Sequence, residues 1–318
     1  MSAPLPLLPA GPRLVRGLVA GEVAIDPVPR APRRGRVRRW CYVAAGDGDT
    51  LVGAAVVHLG VAGVAFAFAR VGGVQGTWDL TRPLARGVRV GEVPAGGAAV
   101  RAGEARLELH PDGRIDLDVP TRTGRLRADV RSEGTITPAV LSTRTEAGGW
   151  NVTRKAAGMP VTGEVQLGAG PTVGLAADAG AWSDWTAGRQ DRRTTWRWAA
   201  GAGSTADGRR VGVNASTGMN RREAGEDVVW WDGVPHALEL TSLAATGDVA
   251  VDPWQVSGPG TSLHLEPHGS RSADERLVVA TSRYVMPFGT WTGSLTDPDG
   301  RAAEVRLAGV AEDHLAVW

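Results

Sequence analysis

Short segments of β character recur along almost the whole chain, separated by signals for tight turns. They are rich in β-branched and aromatic residues or alternate apolar with polar residues, as strands do. The predicted strands cover residues 37–45, 50–59, 61–70, 105–110, 114–119, 125–131, 161–167, 194–200, 209–216, 227–231, 262–266, 275–285, 290–295 and 304–310. Asp-Gly dipeptides, which favour hairpin turns, stand at residues 112–113, 207–208, 232–233 and 299–300. The sequence therefore predicts an all-β fold, an antiparallel sandwich or barrel.

The length of the chain allows two β domains. At 318 residues it can bury a sizeable core without disulfides or metals. The first 35 residues are rich in proline and arginine, and we expect them to form an irregular arm. The glycine-rich segment 145–149 predicts a junction between a first β domain at 36–149 and a second at 150–318.

Charge and hydropathy argue against two classes of partner. The chain has 35 basic and 34 acidic residues, so its net charge of +1 creates no field that attracts nucleic acid. The longest apolar run, 61–69, is about half of what a bilayer requires, and early prolines interrupt any signal-peptide core. We expect no nucleic-acid partner, no integral membrane segment and a cytoplasmic location.

Motifs for metals and cofactors are missing from the sequence. Cys41 is the only cysteine, and the six histidines are scattered, so no three ligands have metal spacing. The glycine-rich patches lack the lysine and helix of a phosphate loop, and no Gly-x-Ser-x-Gly elbow occurs. We therefore predict no metal and no cofactor.

Aromatic composition is unusual. The chain has 12 Trp against 3 Phe and 2 Tyr. Of its 35 basic residues only Lys155 is lysine, which suggests GC-rich coding and makes the abundance of arginine uninformative. Coding bias does not easily explain tryptophan, which has a single codon, so the fold itself must use large indole rings.

The densest signal lies in residues 181–201. Asp184 stands between Trp182 and Trp185, while Trp196 and Trp198 are two residues apart and face the same side of a strand. A carboxyl group among indoles is desolvated, which favours its protonated form, so Asp184 is a candidate proton donor. The alternative is that Asp184 only shapes a turn and the indoles only fill a core.

A second signal lies at the end of the chain, where two carboxylates adjoin His314. On a strand Glu312 and His314 share a face and Asp313 faces the other way. A carboxylate bonded to imidazole fixes its tautomer, as a proton shuttle requires, so Glu312 and His314 are candidate catalytic residues. The alternative is a solvated strand end.

Several motifs together resemble a known family. They are Arg39-Trp40-Cys41-Tyr42, the strand 60–66 and the runs 150–165, 183–186, 195–201, 288–293 and 311–318. In this order they are similar to the bacterial domain-of-unknown-function 2804 family over nearly the whole chain. More remotely, the chain resembles tandem lipocalin-like proteins that include carotenoid hydratases, hydratases of plant phenolics and natural-product cyclases.

The resemblance implies two lipocalin-like antiparallel β-barrels side by side that bind an apolar small molecule. In this sequence the candidates for ligand contact are Trp40, Tyr42, Trp182, Trp185, Trp196, Trp198 and Trp291. Three functions stay open: a cofactor-independent acid-catalysed hydratase, isomerase or cyclase; a binding protein for a hydrophobic ligand; and a carbohydrate-active β protein. The sequence predicts neither the ligand's identity nor an oligomeric state.

Overall fold

Two curled antiparallel sheets contain nearly all of the regular structure. The computed structural model describes residues 17–21, 37–220, 225–277 and 280–318. The first sheet comprises β1 (Gly17–Ala20), β2 (Arg38–Gly46), β3 (Leu51–His58), β4 (Ala62–Val71), β5 (Val74–Pro83), β6 (Val88–Val90), β7 (Ala98–Ala102), β8 (Ala105–Leu109), β9 (Ile115–Thr121), β10 (Gly124–Ser132), β11 (Ala139–Arg144), β12 (Trp150–Leu167), β13 (Thr172–Gly174) and β14 (Gly180–Gly188). A single turn of 3₁₀ helix, Pro94–Gly96, lies between β6 and β7.

The second sheet follows the first in the chain. It comprises β15 (Arg193–Thr205), β16 (Arg210–Thr217), β17 (Val228–Trp231), β18 (Val234–Ala237), β19 (Ser242–Ala245), β20 (Trp254–Gly258), β21 (Thr261–Leu277), β22 (Ala280–Thr296) and β23 (Ala302–Val317). Its strand order is β18-β17-β16-β15-β23-β22-β21-β20-β19. The first sheet runs β5-β4-β3-β2-β14-β12-β10-β9-β8-β7-β6, with β11 and β13 also paired to β12 and β1 paired to β11.

The predicted all-β class and tandem architecture are confirmed, but the change of sheet comes later than the predicted junction. The segment 145–149 is the turn of the β11–β12 hairpin, closed by hydrogen bonds between Thr145 and Gly149 and between Gly148 and Thr145. Strands β12 and β14 still belong to the first sheet, so the chain crosses to the second sheet between Gly188 and Arg193. Glycine content alone does not distinguish a hairpin turn from a linker.

The predicted N-terminal arm is only partly described. Its residues 1–16 and 22–35 lie outside the described part of the chain. Within it, Gly17–Ala20 form β1, which pairs antiparallel with β11 through Gly17 opposite Ser142. This stretch of the arm is therefore a strand of the first sheet rather than irregular chain.

Apolar side chains form three layers. The first layer is enclosed by the curled first sheet, and the third is enclosed by the curled second sheet. The second layer lies between the two sheets and contains side chains from both. Alternation along the strands builds this arrangement, because successive residues point to opposite faces. Among the described residues, no helix has the length and hydropathy needed to cross a membrane.

Two glycines let the sheets approach closely. Gly158 lies at a bulge in β12, with φ of +88°, and a Cβ built there would come within 3.0 Å of the amide nitrogen of Gly212 on β16. A Cβ on Gly212 would in turn meet the carbonyl carbon of Ala157 at 2.1 Å. Any larger residue at either position would force the sheets apart, so this contact fixes the spacing of the walls beside it.

Candidate functional site

A cavity of about 130 Å³ lies in the layer between the two sheets. The first sheet supplies one wall, with Trp40, Tyr42, Phe66, Lys155 and Asp184. The second sheet supplies the facing wall, with Trp196, Trp198, Ser282, Tyr284, Glu312 and His314. Its volume is comparable to that of an engineered cavity of about 150 Å³ that binds benzene. The space between the walls is therefore large enough for a small organic molecule.

Asp184 lies at the centre of the first wall, in the middle of β14. The register places it directly opposite Lys155 on β12, and their side chains form an ion pair with Nζ 2.9 Å from Oδ2. The indole nitrogen of Trp40 donates to Oδ2 at 3.0 Å. The hydroxyls of Thr153 and Thr186 donate to Oδ1 at 3.1 and 2.9 Å. Four donors therefore surround this carboxyl group and hold it in one orientation.

Lys155, the only lysine in the chain, is 5% exposed at its side chain and lies between two carboxylates. Its Nζ is 3.6 Å from Oε2 of Glu226, which is also buried, and 5.6 Å from the ring centre of Trp198. Burial acts to lower the pKa of Lys155, but the charges of Asp184 and Glu226 oppose it and hold that pKa above its ordinary value. The cavity wall therefore carries a permanent ammonium group.

Three buried amides extend this cluster, and one of them, Asn220, also lines the cavity. Asn220 donates to Glu226 at 3.1 Å and accepts from Asn151 at 2.9 Å. Gln190 donates to Asn151 at 2.9 Å. Hydrogen bonds among buried polar groups restrict the geometry of the charged groups that they join. The amides thus fix Glu226, and through it Lys155.

The second wall carries a histidine held by four neighbouring side chains. Nδ1 of His314 contacts Oε1 of Glu312, and Nε2 lies 2.9 Å from Oγ of Ser282. The imidazole stacks on Trp196 with ring centres 3.9 Å apart and on Tyr284 with ring centres 5.1 Å apart. These contacts fix both the plane and the in-plane orientation of the ring, as a group that transfers protons requires.

The two tyrosines of the chain both line the cavity. Burial, reinforced by the charge of Glu312, raises the pKa of Tyr42, and the neighbouring indole N–H of Trp182 opposes this only in part. Among the described residues the Tyr42 hydroxyl has no hydrogen-bond partner. Burial also raises the pKa of Tyr284 against the opposing charge of Arg271, which donates to its hydroxyl. Both phenols therefore stay protonated at neutral pH.

A family model described as domain of unknown function DUF2804 matches residues 21–318. The chain belongs to the DUF2804 family. The match confirms the family resemblance that the sequence motifs indicated. No curated protein matches the DUF2804 chain by sequence.

Solved structures share the fold of this DUF2804 protein at low sequence identity. An AttH-like protein from Nitrosomonas europaea is 13% identical, with a TM-score of 0.55, over 93% of this chain and 99% of that chain. Kievitone hydratase from Nectria haematococca is 12% identical, with a TM-score of 0.50, over 88% of each chain. At these identities the likeness establishes the tandem architecture.

The residues predicted from sequence divide between the cavity and the cores. Asp184, Glu312 and His314 all line the cavity of the DUF2804 chain, as do Trp40, Tyr42, Trp196 and Trp198. Glu312 and His314 share a face as predicted, while Asp313 points away and pairs with Arg197 at 2.9 Å. The predicted wall of indoles therefore exists, but it lies between the sheets and not inside a barrel.

Three predicted ligand contacts lie elsewhere. Trp185 alternates to the face opposite Asp184 and fills the interior of the first sheet. Trp291 fills the interior of the second sheet. Trp182 is in the layer between the sheets but is packed among other side chains, outside the cavity lining. Their placement supports core packing rather than ligand contact, because alternation on the strand separates neighbours in sequence.

Lys155, Glu226, Ser282 and Tyr284 are missing from the residues predicted from sequence. For Lys155 a signal exists: a single lysine kept in a chain that otherwise uses arginine marks a position where a guanidinium does not serve. Glu226 and Ser282 carry no such signal. No group of three or more His, Cys, Asp or Glu side chains within the described ranges is placed to bind a metal ion.

Proposed function

We propose that this DUF2804 protein catalyses cofactor-independent proton transfer on an apolar small molecule that carries an oxygen group, in a hydration, isomerisation or cyclisation. One observation carries the proposal. A buried ammonium held by two carboxylates and a carboxylate-paired imidazole line the same largely apolar cavity. Titratable groups placed together in a water-poor cleft are the arrangement that acid–base catalysis uses.

Lys155 is suited to hold the oxygen of the substrate. An ammonium has three donors, and Asp184 and Glu226 engage two of them, so the third can bind a carbonyl oxygen in the cavity. A fixed positive charge stabilises the negative charge that develops on such an oxygen when a neighbouring carbon loses a proton. In this role Asp184 anchors the ammonium; its action as the proton donor itself stays a prediction.

His314 is suited to move the proton. For conjugate hydration of an enone, the imidazole would take a proton from water as its oxygen bonds to the β-carbon. It would then return a proton to the α-carbon as the enolate on Lys155 collapses to the ketone. No atom is left over, because the water adds completely. A positioned general acid or base contributes about 10²–10⁴-fold in rate.

One protein of similar fold is named as a hydratase. Kievitone hydratase, which shares the architecture at low identity, is by its name an enzyme that adds water to a substrate. The likeness concerns the fold, so the proposal depends on the residues of this chain.

Exchange of carbon-bound hydrogen tests the proposal without knowledge of the natural substrate. Apolar ketones and enones are incubated with the protein in D₂O, and deuterium incorporation is followed by mass spectrometry. We expect exchange to fall by about 10²–10⁴-fold in Lys155→Met and in His314→Gln. Asp313→Asn is the matched control, since that carboxylate faces away from the cavity beside Glu312. Exchange that is equal in all variants would contradict the proposal.

Binding without chemistry is a second candidate, favoured by the apolar walls of the cavity at Val57, Val64 and Phe66. Native mass spectrometry with extraction of the purified protein would then reveal a retained hydrophobic molecule, with no exchange on any ketone offered. The carbohydrate hypothesis loses one of its two motives, exposed tryptophan platforms, because all 12 tryptophans of the chain are described and are buried or half-buried. Its other motive, a pairing of Asp184 with Glu312, stays a prediction, and both carboxylates line the cavity.

A further inference from the structure

Ser282 gives the second wall a chemistry that proton transfer does not use. Its hydroxyl oxygen lies 2.9 Å from Nε2 of His314, while Nδ1 of the same ring contacts Glu312. A carboxylate oxygen accepts hydrogen bonds, so the contact with Glu312 favours the tautomer with its proton on Nδ1, and in that tautomer Nε2 accepts from the hydroxyl. Hydroxyl, base and orienting carboxylate thus form one chain of contacts, all on the cavity lining.

The register of three neighbouring strands builds this chain of contacts. On β22 and β23, Ser282 lies opposite Ala316 and Tyr284 opposite His314, so Ser282 is the diagonal neighbour of His314 on the same face. On β15, Trp196 lies opposite His314. Positions on paired strands are held more rigidly than positions on loops, so the hydroxyl and the imidazole keep their alignment.

The facing wall supplies a donor for a developing oxyanion. The Tyr42 hydroxyl is buried, lines the cavity and has no hydrogen-bond partner among the described residues. A buried hydroxyl without a partner has a free-energy cost that a bound oxygen would remove. Because its proton is retained at neutral pH, this phenol can donate to a negatively charged oxygen in the cavity.

We propose that Ser282, His314 and Glu312 form a nucleophilic triad that hydrolyses small apolar esters in the cavity. Ser282 Oγ bonds to the carbonyl carbon as its proton passes to His314 Nε2, and the negative charge moves to the carbonyl oxygen facing Tyr42. The ester C–O bond then breaks, and the leaving alcohol takes the proton from His314. Water hydrolyses the resulting acyl-serine by the same route, so ester and water give acid and alcohol.

This activity goes beyond the proton transfer proposed above, since it requires a covalent intermediate on Ser282. A simpler role for Ser282 is to orient His314 by a hydrogen bond. The two roles differ in one measurable property: an orienting serine is no more reactive than any other, whereas a triad serine reacts with electrophiles at a rate that depends on its histidine.

A fluorophosphonate probe tests the triad on the intact chain. We expect one adduct per chain, mapped by peptide mass spectrometry to Ser282. The rate of adduct formation should fall by about 10²–10⁴-fold in His314→Gln. p-Nitrophenyl acetate should give a burst of about one equivalent of p-nitrophenol, absent in Ser282→Ala. Ser262→Ala removes an exposed hydroxyl near the far end of the β21–β22 hairpin and should change neither result.

Ser282→Cys keeps the proposal testable if the alanine variant does not fold. The new thiol should react with iodoacetamide in a His314-dependent manner, while the native Cys41 is buried and does not compete. Absence of any adduct at Ser282 on the folded protein, or an adduct whose rate is unchanged in His314→Gln, would overturn the triad. Deuterium exchange into a ketone needs no nucleophilic serine and should persist in Ser282→Ala, so the two proposals can fail separately.

Discussion

The two walls of the cavity hold their charged groups by different means. On the first wall, Lys155 and Asp184 are opposite each other in register, almost fully buried, and tied to Glu226 and its amides. On the second wall, Glu312 and His314 follow each other along one strand and depend on stacked rings for their position. On the first wall, buried ion pairs hold the charged groups in place. On the second wall, ring stacking holds the imidazole, and this packing does not depend on which ring nitrogen carries a proton.

This difference predicts how much the side chains of each wall contribute to the stability of the fold. Buried ion pairs are costly to break, because a single remaining charge has no solvent to replace its partner. A ring clamped between aromatic neighbours loses only part of its contacts when one neighbour is removed. Substitutions on the first wall should therefore lower the free energy of unfolding more than substitutions on the second.

The largest expected effect comes from Lys155→Met. The substitution keeps the volume of the side chain but leaves Asp184 and Glu226 buried without their cation, so we expect the free energy of unfolding to fall by about 3–5 kcal/mol. Urea denaturation followed by tryptophan fluorescence measures it. Arg197→Met, which breaks the half-exposed pair with Asp313, is the control and should change stability little. If both variants lost the same free energy of unfolding, the buried ion pairs of the first wall would contribute no more to stability than a half-exposed pair.

A smaller loss is expected from Glu312→Gln. This variant replaces the carboxylate that contacts His314 with a neutral amide, and the loss of a charge-assisted hydrogen bond should cost about 1.5–3 kcal/mol. Asp313→Asn, one residue along and on the opposite face, provides the matched comparison. If the two variants unfold at the same urea concentration, Glu312 has no special role in holding the imidazole.

Removal of one stacked ring should cost less again. Trp196→Leu deletes the indole that lies 3.9 Å from His314 but leaves Tyr284 on the other side of the ring. Beyond the apolar area lost, the aromatic contact is worth about 0.5–1.5 kcal/mol. His314 signals in NMR spectra of the variant should broaden or split as the ring gains freedom. Unchanged signals would show that one neighbour suffices to fix it.

The smallest change in stability is expected at the tyrosines of the cavity, which also make stability depend on pH. Tyr42→Phe removes a hydroxyl that has no hydrogen-bond partner within the described part of the chain, so stability should stay unchanged or rise by up to about 1 kcal/mol. In the folded chain both pKa values are raised, whereas an unfolded tyrosine ionises near pH 10. Above about pH 10 only the unfolded chain releases these protons, so stability must fall as pH rises.

Near-ultraviolet absorbance of tyrosinate measures this directly, since the chain has only 2 tyrosines. We expect no tyrosinate in the folded protein above pH 10, and its appearance only as the chain unfolds. Tyr42→Phe should halve the amplitude. A normal titration before unfolding would mean that the phenols are open to solvent.

Some elements of the site could be anticipated from the chain alone. Two-residue spacing placed Trp196 with Trp198 and Glu312 with His314 on common faces, because side chains alternate strictly along any strand. The same rule could not be applied to Asp184. The consecutive polar residues Ser183 and Asp184 break the alternation of β14, so this strand was absent from the predicted set.

Sequence by itself determined the class of fold, the recurrence of antiparallel hairpins and the pairing of residues two apart, since these follow from local geometry. Only the tertiary structure decided which face of each strand meets the other sheet, and hence that Trp185 fills a core while Asp184 faces a cavity. It also decided that Lys155 meets Asp184 and Glu226, which come from distant parts of the chain. Contacts between sheets depend on strand order and register across long sequence separations, and no local pattern encodes them.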